Sequence, residues 1–151
     1  MVMKSHAVLL GLIVFLSVVG IADSLYLAES AVTKTPLVCD IEGLNDCNVV
    51  AQSPYAKLFG IPLGIYGIGF YVVMLILALL VRYTPQSLWR SALFIWALVG
   101  ALASLCFVYI QLVLIQAVCV YCLVSALISF LLVPLSWLFL KRFTATPPVV
   151  P

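Results

Sequence analysis

Two cysteines three residues apart, Cys119 and Cys122, lie within the apolar stretch AVCVYCLVS. A Cys-x-x-Cys pair can be a redox centre, half of a metal-binding knuckle, or two packing residues. A second pair, Cys39 and Cys47, is separated by seven residues, and Cys106 stands apart from both pairs. The cysteines therefore suggest thiol chemistry. Which of the three alternatives holds depends on where the helices and loops of the chain place them.

Composition places these cysteines in a membrane protein. The 151 residues are 66% hydrophobic and 8% charged, far from the values of soluble domains. About 20 apolar residues are needed to cross a bilayer, and four stretches qualify, at roughly 7–27, 63–81, 91–115 and 119–140. The last two stretches carry no charge between them, and one helix over both would be far too long, so the chain must reverse near Gln116.

We therefore predict an all-α fold, an integral membrane four-helix bundle that forms a single domain over 1–151 with a disordered tail at 144–151. The first span could instead be a signal peptide, because Lys4 precedes the apolar run and Gly20-Ile21-Ala22 is a small-x-small pattern. We take it as a retained helix, since its apolar run is long and continues to Leu27.

The distribution of charges predicts the orientation of the bundle, because cations favour the cytoplasmic side. Five cations flank one face of the bundle, whereas the other face has two cations and all five acidic residues. The five cations of the first face are Lys4, Arg82, Arg90, Lys141 and Arg142. The second face has Lys34 and Lys57 with Asp23, Glu29, Asp40, Glu42 and Asp46. Both termini are then cytoplasmic, and four of the five cysteines lie on the outer, oxidising side. The net charge of +2 is too small and dispersed to suggest nucleic acid as a partner.

Position along the fourth helix distinguishes the two cysteines of the Cys-x-x-Cys pair. Both begin the helix, where the dipole and free amides stabilise a thiolate. Cys122 lies about 4.5 Å deeper than Cys119. Cys39 or Cys47 on the loop could reach Cys119, while an electron carrier dissolved in the bilayer could reach Cys122. This order predicts an electron relay.

Two other interpretations of the cysteines stay open. In the first, Cys39 and Cys47 form a static loop disulfide in a structural or transport protein, and the other pair packs. In the second, the four thiolates hold a metal ion, but seven residues between Cys39 and Cys47 do not form a knuckle, so we predict no metal. Cys106 is expected to pack as a small hydrophobic residue.

The outer loop between the first two spans contains signals for a short interfacial helix. Ser53 and Pro54 can cap and start a helix over Tyr55–Phe59, which Gly60 and Pro62 then end. An ordinary turn back into the membrane is the alternative. Gly64 and Gly67 would let a neighbouring helix approach the second span closely.

Taken in order, these motifs resemble the vitamin K epoxide reductase family in its bacterial single-domain form: Cys39-x7-Cys47, Ser53-Pro54-Tyr55, Phe59-Gly60-Ile61-Pro62-Leu63-Gly64 and Cys119-Val120-Tyr121-Cys122. The resemblance covers residues 7–140. It implies a bundle around a quinone, ubiquinone or menaquinone, in a prokaryotic inner or plasma membrane. DsbB-type oxidases also have two cysteine pairs, but there the Cys-x-x-Cys-type pair comes first.

The resemblance also implies roles for the four cysteines. Cys39 would take electrons from a thioredoxin-fold (DsbA-like) protein, Cys47 would bridge to Cys119, and Cys122 would react with the quinone. Many relatives carry a fused thioredoxin-like domain, and because this chain stops at Pro151 we expect the partner to be a separate protein. We expect quinone reduction rather than epoxide reduction. Candidate quinone-binding residues are Ser53 by motif, Phe59, Pro62 and Tyr121 by location, and Asp23 at the outer end of the first span.

Overall fold

The computed structural model describes residues 2–39, 47–84 and 86–144, with side chains over 6–39, 47–84 and 86–141. Its helices are α1 (Val2–Thr33), α2 (Cys47–Gln52), α3 (Leu63–Tyr83), α4 (Ser87–Tyr109) and α5 (Val120–Thr144). Between α2 and α3 lie a 3-10 turn over Pro54–Ala56 and a hairpin of β1 (Lys57–Leu58) and β2 (Ile61–Pro62). The predicted tail after Thr144, the acidic residues Asp40, Glu42 and Asp46, and the side chains of Lys4 and Arg142 lie outside the described residues.

Within the described residues, four segments are long and apolar enough to cross a membrane. They are His6–Thr33, Leu63–Tyr83, Ser87–Ile115 and Val120–Lys141. These segments confirm the four predicted spans and the all-α membrane bundle. The first span runs further than predicted, since α1 continues to Thr33.

The four long helices form a closed ring. α1 packs against α3 and α5, and α4 packs against the same two helices from the other side. Large apolar side chains such as Phe15, Leu102 and Leu127 face outward, as expected where the solvent is lipid. Cys106 is also exposed, on the outer surface of α4, and its expected role as a small hydrophobic packing residue stays a prediction.

One cluster of buried, mainly apolar side chains fills the interior of the ring. We call this set of nine buried residues the inner core: Ile13, Tyr71, Met74, Leu77, Ala78, Leu93, Ala97, Ile128 and Leu132. Lipid is as apolar as these side chains, so close packing between helices stabilises the cluster more than transfer from water does. The inner core therefore fixes where each span stands relative to the others.

Small residues bring α1 and α3 into close contact, as predicted for Gly64 and Gly67. A Cβ atom on Gly64 would lie 2.6 Å from the backbone nitrogen of Ala28, and one on Gly67 would lie 2.5 Å from the hydroxyl oxygen of Ser24. A larger side chain at Gly64 would press on the backbone of α1 and move the helices apart, whereas at Gly67 the Ser24 side chain would have to shift. The prediction of close approach is confirmed.

A short helical turn does lie between α2 and α3, but its predicted extent over Tyr55–Phe59 is wrong. Pro54 begins the turn, which ends at Ala56, and the chain then forms the hairpin with Phe59 and Gly60 at its tip. Both tip residues have positive φ, at 52° and 82°, as a two-residue hairpin turn requires. The phenol of Tyr66 donates to the carbonyl oxygen of Leu58 at 3.1 Å and ties the hairpin to α3.

The reversal between α4 and α5 lies where chain length predicts it. A π-helical turn over Ile110–Ile115 extends α4, and Gln116 then adopts a left-handed conformation with φ of 56°. The chain runs on through Cys119 into α5. This reversal delivers the Cys-x-x-Cys pair to the same end of the bundle as the loop that carries the other two cysteines.

Candidate active site

Four cysteines meet at one end of the bundle. Cys39 and Cys47 form a disulfide, while Cys119 and Cys122 carry free thiols. Cys47 and Cys119 belong to one packed cluster, with both other cysteines against its edge. We call this set the outer cluster; its buried members are Leu37, Cys47, Val50, Ala117 and Cys119. The two cysteine pairs are therefore neighbours in space, although the spans formed by α3 and α4 separate them in sequence.

Exposure differs between the two cysteines of the disulfide. Cys47 is 0% exposed and lies in the outer cluster with Cys119, which is 1% exposed, whereas Cys39 is half-buried. A protein in the aqueous phase can therefore approach Cys39 more easily than Cys47. Cys47 is instead enclosed by the outer cluster.

Hydrogen bonds from three helices hold the segment that leads to the loop disulfide. The side-chain amide of Asn48 on α2 accepts from the backbone N–H of Leu37 at 2.8 Å and donates to its carbonyl oxygen at 3.2 Å. Tyr26 of α1 accepts from the N–H of Val38 at 3.1 Å, and Tyr121 of α5 donates to the carbonyl oxygen of Val38 at 2.7 Å. The segment before the disulfide is thus fixed against both α1 and α5.

Cys119 occupies the N-cap position of α5, outside the membrane-spanning segment. Its carbonyl oxygen accepts the N–H of Leu123 at 3.0 Å. The pKa of its thiol is lowered, first by the hydrogen bond from the Cys122 thiol and then by the backbone N–H groups of Cys122 and Tyr121. Burial and the Asp23 carboxylate act in the opposite direction. Cys119 therefore ionises more readily than an ordinary thiol, as helix geometry predicts for an N-cap sulfur.

A cavity of about 640 Å³ opens beside the two free thiols. All four long helices contribute to its wall, which is largely apolar, and both Cys119 and Cys122 line it. The volume lies within the range of about 300–1,000 Å³ that is usual for small-molecule sites. The size and lining of the cavity are those expected for a mostly apolar small molecule with a few polar atoms.

Polar groups on α3 and α5 give the cavity its hydrogen-bonding capacity. The Tyr71 hydroxyl lies 2.8 Å from the carbonyl oxygen of Ser125, 2.9 Å from the Ser125 hydroxyl and 3.3 Å from the Ser129 hydroxyl. A carbonyl oxygen can only accept, so in that contact Tyr71 is the donor. The two serine hydroxyls keep protons that they can donate to the tyrosine oxygen or to a ligand in the cavity.

The predicted quinone-binding residues occupy different places. Ser53 and Pro62 line the cavity, and the Ser53 hydroxyl donates to the carbonyl oxygen of Val50 at 2.7 Å instead of capping the turn that follows. Phe59 is 92% exposed at the hairpin tip and is not part of the cavity wall.

Asp23 and Tyr121 also lie outside the cavity wall. One carboxylate oxygen of Asp23 is buried without a hydrogen-bond partner among the described residues. Tyr121 positions the segment before the loop disulfide, and its ring contacts that of Tyr26 with centroids 4.9 Å apart. Both residues therefore border the cysteines rather than the cavity.

Sequence reasoning missed four polar residues of this site: Gln111, Tyr71, Ser125 and Ser129. Tyr71 and Gln111 each stand in an apolar span outside any motif, whereas Ser125 and Ser129 follow Cys122 at i+3 and i+7 on one face of α5, a helical spacing that the sequence analysis did not use. These residues could have been identified by their polarity. A polar side chain within the membrane costs free energy, so its presence there suggests a functional role.

Comparison with known proteins agrees with this arrangement. Residues 11–137 match the vitamin K epoxide reductase family. The chain is also 38% identical over 121 residues to the thiol-disulfide oxidoreductase LTO1 of Arabidopsis thaliana, an alignment that covers 76% of this chain and 32% of that protein. The chain thus spans about a third of the length of this relative. Because the family match extends over most of its residues, the chain belongs to the vitamin K epoxide reductase family.

Proposed function

We propose that the protein is a membrane thiol oxidoreductase that carries two electrons from a thioredoxin-fold dithiol protein to a quinone. The observation that carries this proposal is that Cys47 and Cys119 are buried in one packed cluster, with half-buried Cys39 and cavity-lining Cys122 packed against it. The name of the plant relative, a thiol-disulfide oxidoreductase, supports the same chemistry.

The first exchange takes place at the loop disulfide. A thiolate of the partner attacks the sulfur of Cys39, the Cys39–Cys47 bond breaks, and Cys47 leaves as a thiolate. The second thiol of the partner then displaces Cys39. The partner is now oxidised to its disulfide, and Cys39 and Cys47 hold its two electrons.

The second exchange moves these electrons to α5. The Cys47 thiolate attacks Cys119 of a Cys119–Cys122 disulfide and frees Cys122. Cys39 then attacks Cys47, which restores the loop disulfide and releases Cys119. The lowered pKa of Cys119 favours this release, because a thiol of low pKa is a good leaving group. A loop disulfide beside a helix dithiol, the combination in the structure, is the product of this step.

The cavity suits a quinone, ubiquinone or menaquinone, by its size, its apolar wall and its few hydroxyl donors. A bound quinone would supply the oxidising power, taking up the two electrons and two protons that leave when Cys119 and Cys122 form a disulfide. Cys122 lines the cavity, and Ser125 and Ser129 offer hydroxyl protons to a ring oxygen. Ser53 and Pro62 contribute to the wall.

We further propose that both termini lie in the cytoplasm and the cysteines on the outer face of a prokaryotic inner or plasma membrane. The excess of cations on the side of the termini supports this orientation. The partner would then be a DsbA-like protein in an oxidising compartment, where thiol pairs must be reoxidised.

A reconstituted assay tests the proposed function. Purified protein is mixed with a reduced thioredoxin-fold donor and a soluble quinone, and quinone absorbance is followed for wild type, Cys122→Ser and Cys106→Ser. We expect quinone consumption coupled to donor oxidation, lost in Cys122→Ser and retained in Cys106→Ser, because Cys106 lies on the outer surface. Absence of consumption with several donors and both quinone classes would favour a structural protein with a static loop disulfide.

A further inference from the structure

A single buried glutamine organises the reversal that presents Cys119. Gln111 is 3% exposed and lies in the π-helical turn that ends the third span. Its backbone carbonyl oxygen accepts the N–H groups of Gln116 and Ala117, the latter at 3.2 Å. Its side-chain oxygen accepts the N–H of Cys119 at 2.9 Å. Gln111 thus satisfies three backbone donors that would otherwise be costly to bury.

The contact with Cys119 matters because of where Cys119 stands in α5. An N-cap residue turns its side chain over the end of the helix, so that its side chain accepts N–H groups of the first turn. Its own N–H points away from the helix and needs another acceptor. Gln111 supplies that acceptor from a different span, eight residues earlier in the chain.

We propose, on the basis of the proposed function, that Gln111 is a positioning residue that holds Cys119 in the N-cap orientation and so sets its reactivity in disulfide exchange. With the backbone of Cys119 fixed, its sulfur stays directed toward the N–H groups of Tyr121 and Cys122. Loss of the Gln111 contact frees the backbone of Cys119 to rotate and weakens these hydrogen bonds.

Among the residues that the structure describes, the other titratable groups that act on Cys119 are Cys122 and Tyr121 on α5 and Asp23 on α1. The neighbouring Cys39–Cys47 disulfide does not titrate. Replacing Gln111 by methionine changes none of these groups. A change in the titration of Cys119 can therefore be assigned to its position.

The test measures the alkylation rate of Cys119 against pH in full-length protein that carries Cys122→Ser and keeps the Cys39–Cys47 disulfide intact, with peptide mass spectrometry to identify the modified residue and to confirm the loop disulfide. Gln111→Met keeps the length of the side chain and removes the acceptor. We expect the pH midpoint to rise by about half to one unit, the size expected for loss of a capping interaction. The matched control is Gln116→Met, which alters an exposed glutamine of the same reversal and should leave the midpoint unchanged.

A folded Gln111→Met protein with an unchanged midpoint would overturn the proposal. If that variant does not fold, amide hydrogen exchange of the wild type decides: the N–H of Cys119 should exchange much more slowly than that of Val120, and equal rates would overturn the proposal. Neither measurement uses a quinone or a partner protein. Failure of the positioning role is therefore distinguishable from failure of the proposed function.

Discussion

The interior of the bundle and its cysteine-bearing end are built in different ways. The inner core consists mainly of large apolar side chains that fill the space between the helices, such as Met74 and Leu132, both 0% exposed. The outer cluster consists of cysteines and aliphatic residues beside a cavity of about 640 Å³. Tyr71 belongs to both regions, because its ring lies in the inner core and its hydroxyl reaches the cavity.

This difference indicates that one region stabilises the bundle and the other carries the reactive groups. Close packing in the interior can fix the helices, which allows the cysteine-bearing end to hold a cavity and reactive thiols that contribute less to stability. Substitutions in the inner core should therefore lower stability and leave activity per folded molecule unchanged. Substitutions of the cysteines should lower activity and leave stability nearly unchanged. The following predictions test that separation, from the largest expected effect to the smallest.

Cys119→Ser should abolish coupled quinone reduction while leaving the unfolding temperature close to that of wild type. Serine is similar in size but cannot form a disulfide, so the relay ends at the loop pair. Thermal unfolding in detergent and the reconstituted assay measure the two effects. A Cys119→Ser protein that still couples donor oxidation to quinone reduction would contradict the relay.

Leu132→Ala should have the reverse effect. Truncating a fully buried leucine leaves a cavity and costs about 2–5 kcal/mol of unfolding free energy. Activity per folded molecule should persist at a permissive temperature, since Leu132 does not line the cavity beside the thiols. Leu102→Ala, on the lipid-facing surface of α4, is the control and should cost much less. Equal losses in both variants would argue against the inner core as the stabilising region.

Cys122→Ala should raise the pKa of Cys119 relative to Cys122→Ser. The hydrogen bond from residue 122 is the first cause of the lowered pKa, and serine retains a donor whereas alanine does not. The alkylation rate of Cys119 should therefore reach its half-maximal value at a higher pH in the alanine variant. Coincident pH profiles would show that the helix amides alone stabilise the thiolate.

Ser129→Ala should raise the KM for quinone by a few-fold, about the 1 kcal/mol of one neutral hydrogen bond, with little change in stability. Ser136→Ala is the matched control, because Ser136 is a buried serine of the same helix that does not line the cavity. Steady-state rates over a range of quinone concentrations measure both. The same change in KM for the two variants would remove Ser129 from the proposed binding site.

Much of the fold follows from the sequence, because apolar length alone determines the four spans and forces the reversal near Gln116. The short elements do not follow in the same way. Phe59 forms a hairpin turn with Gly60 where the sequence predicts the last residue of a helix, since Phe59 adopts a positive φ that its residue type does not signal.

The cysteine pairs could be identified by type and spacing, but the hydrogen bonds around them could not. The contact between Gln111 and Cys119 and the contacts of Tyr71 depend on how the spans pack against one another. A single polar residue within an apolar run has no periodic pattern that would predict its partner. Such contacts become visible only once the helices are placed.

The most direct test of the relay is a disulfide trap between its two halves. In the double variant Cys39→Ser/Cys122→Ser, Cys47 and Cys119 have lost their usual partners, and peptide mass spectrometry after mild oxidation should find them joined. The control Cys39→Ser/Cys119→Ser leaves Cys47 with Cys122 and should form much less of the corresponding bond, because Cys47 packs in the outer cluster with Cys119. A Cys47–Cys119 disulfide that forms no faster than the control would contradict the account.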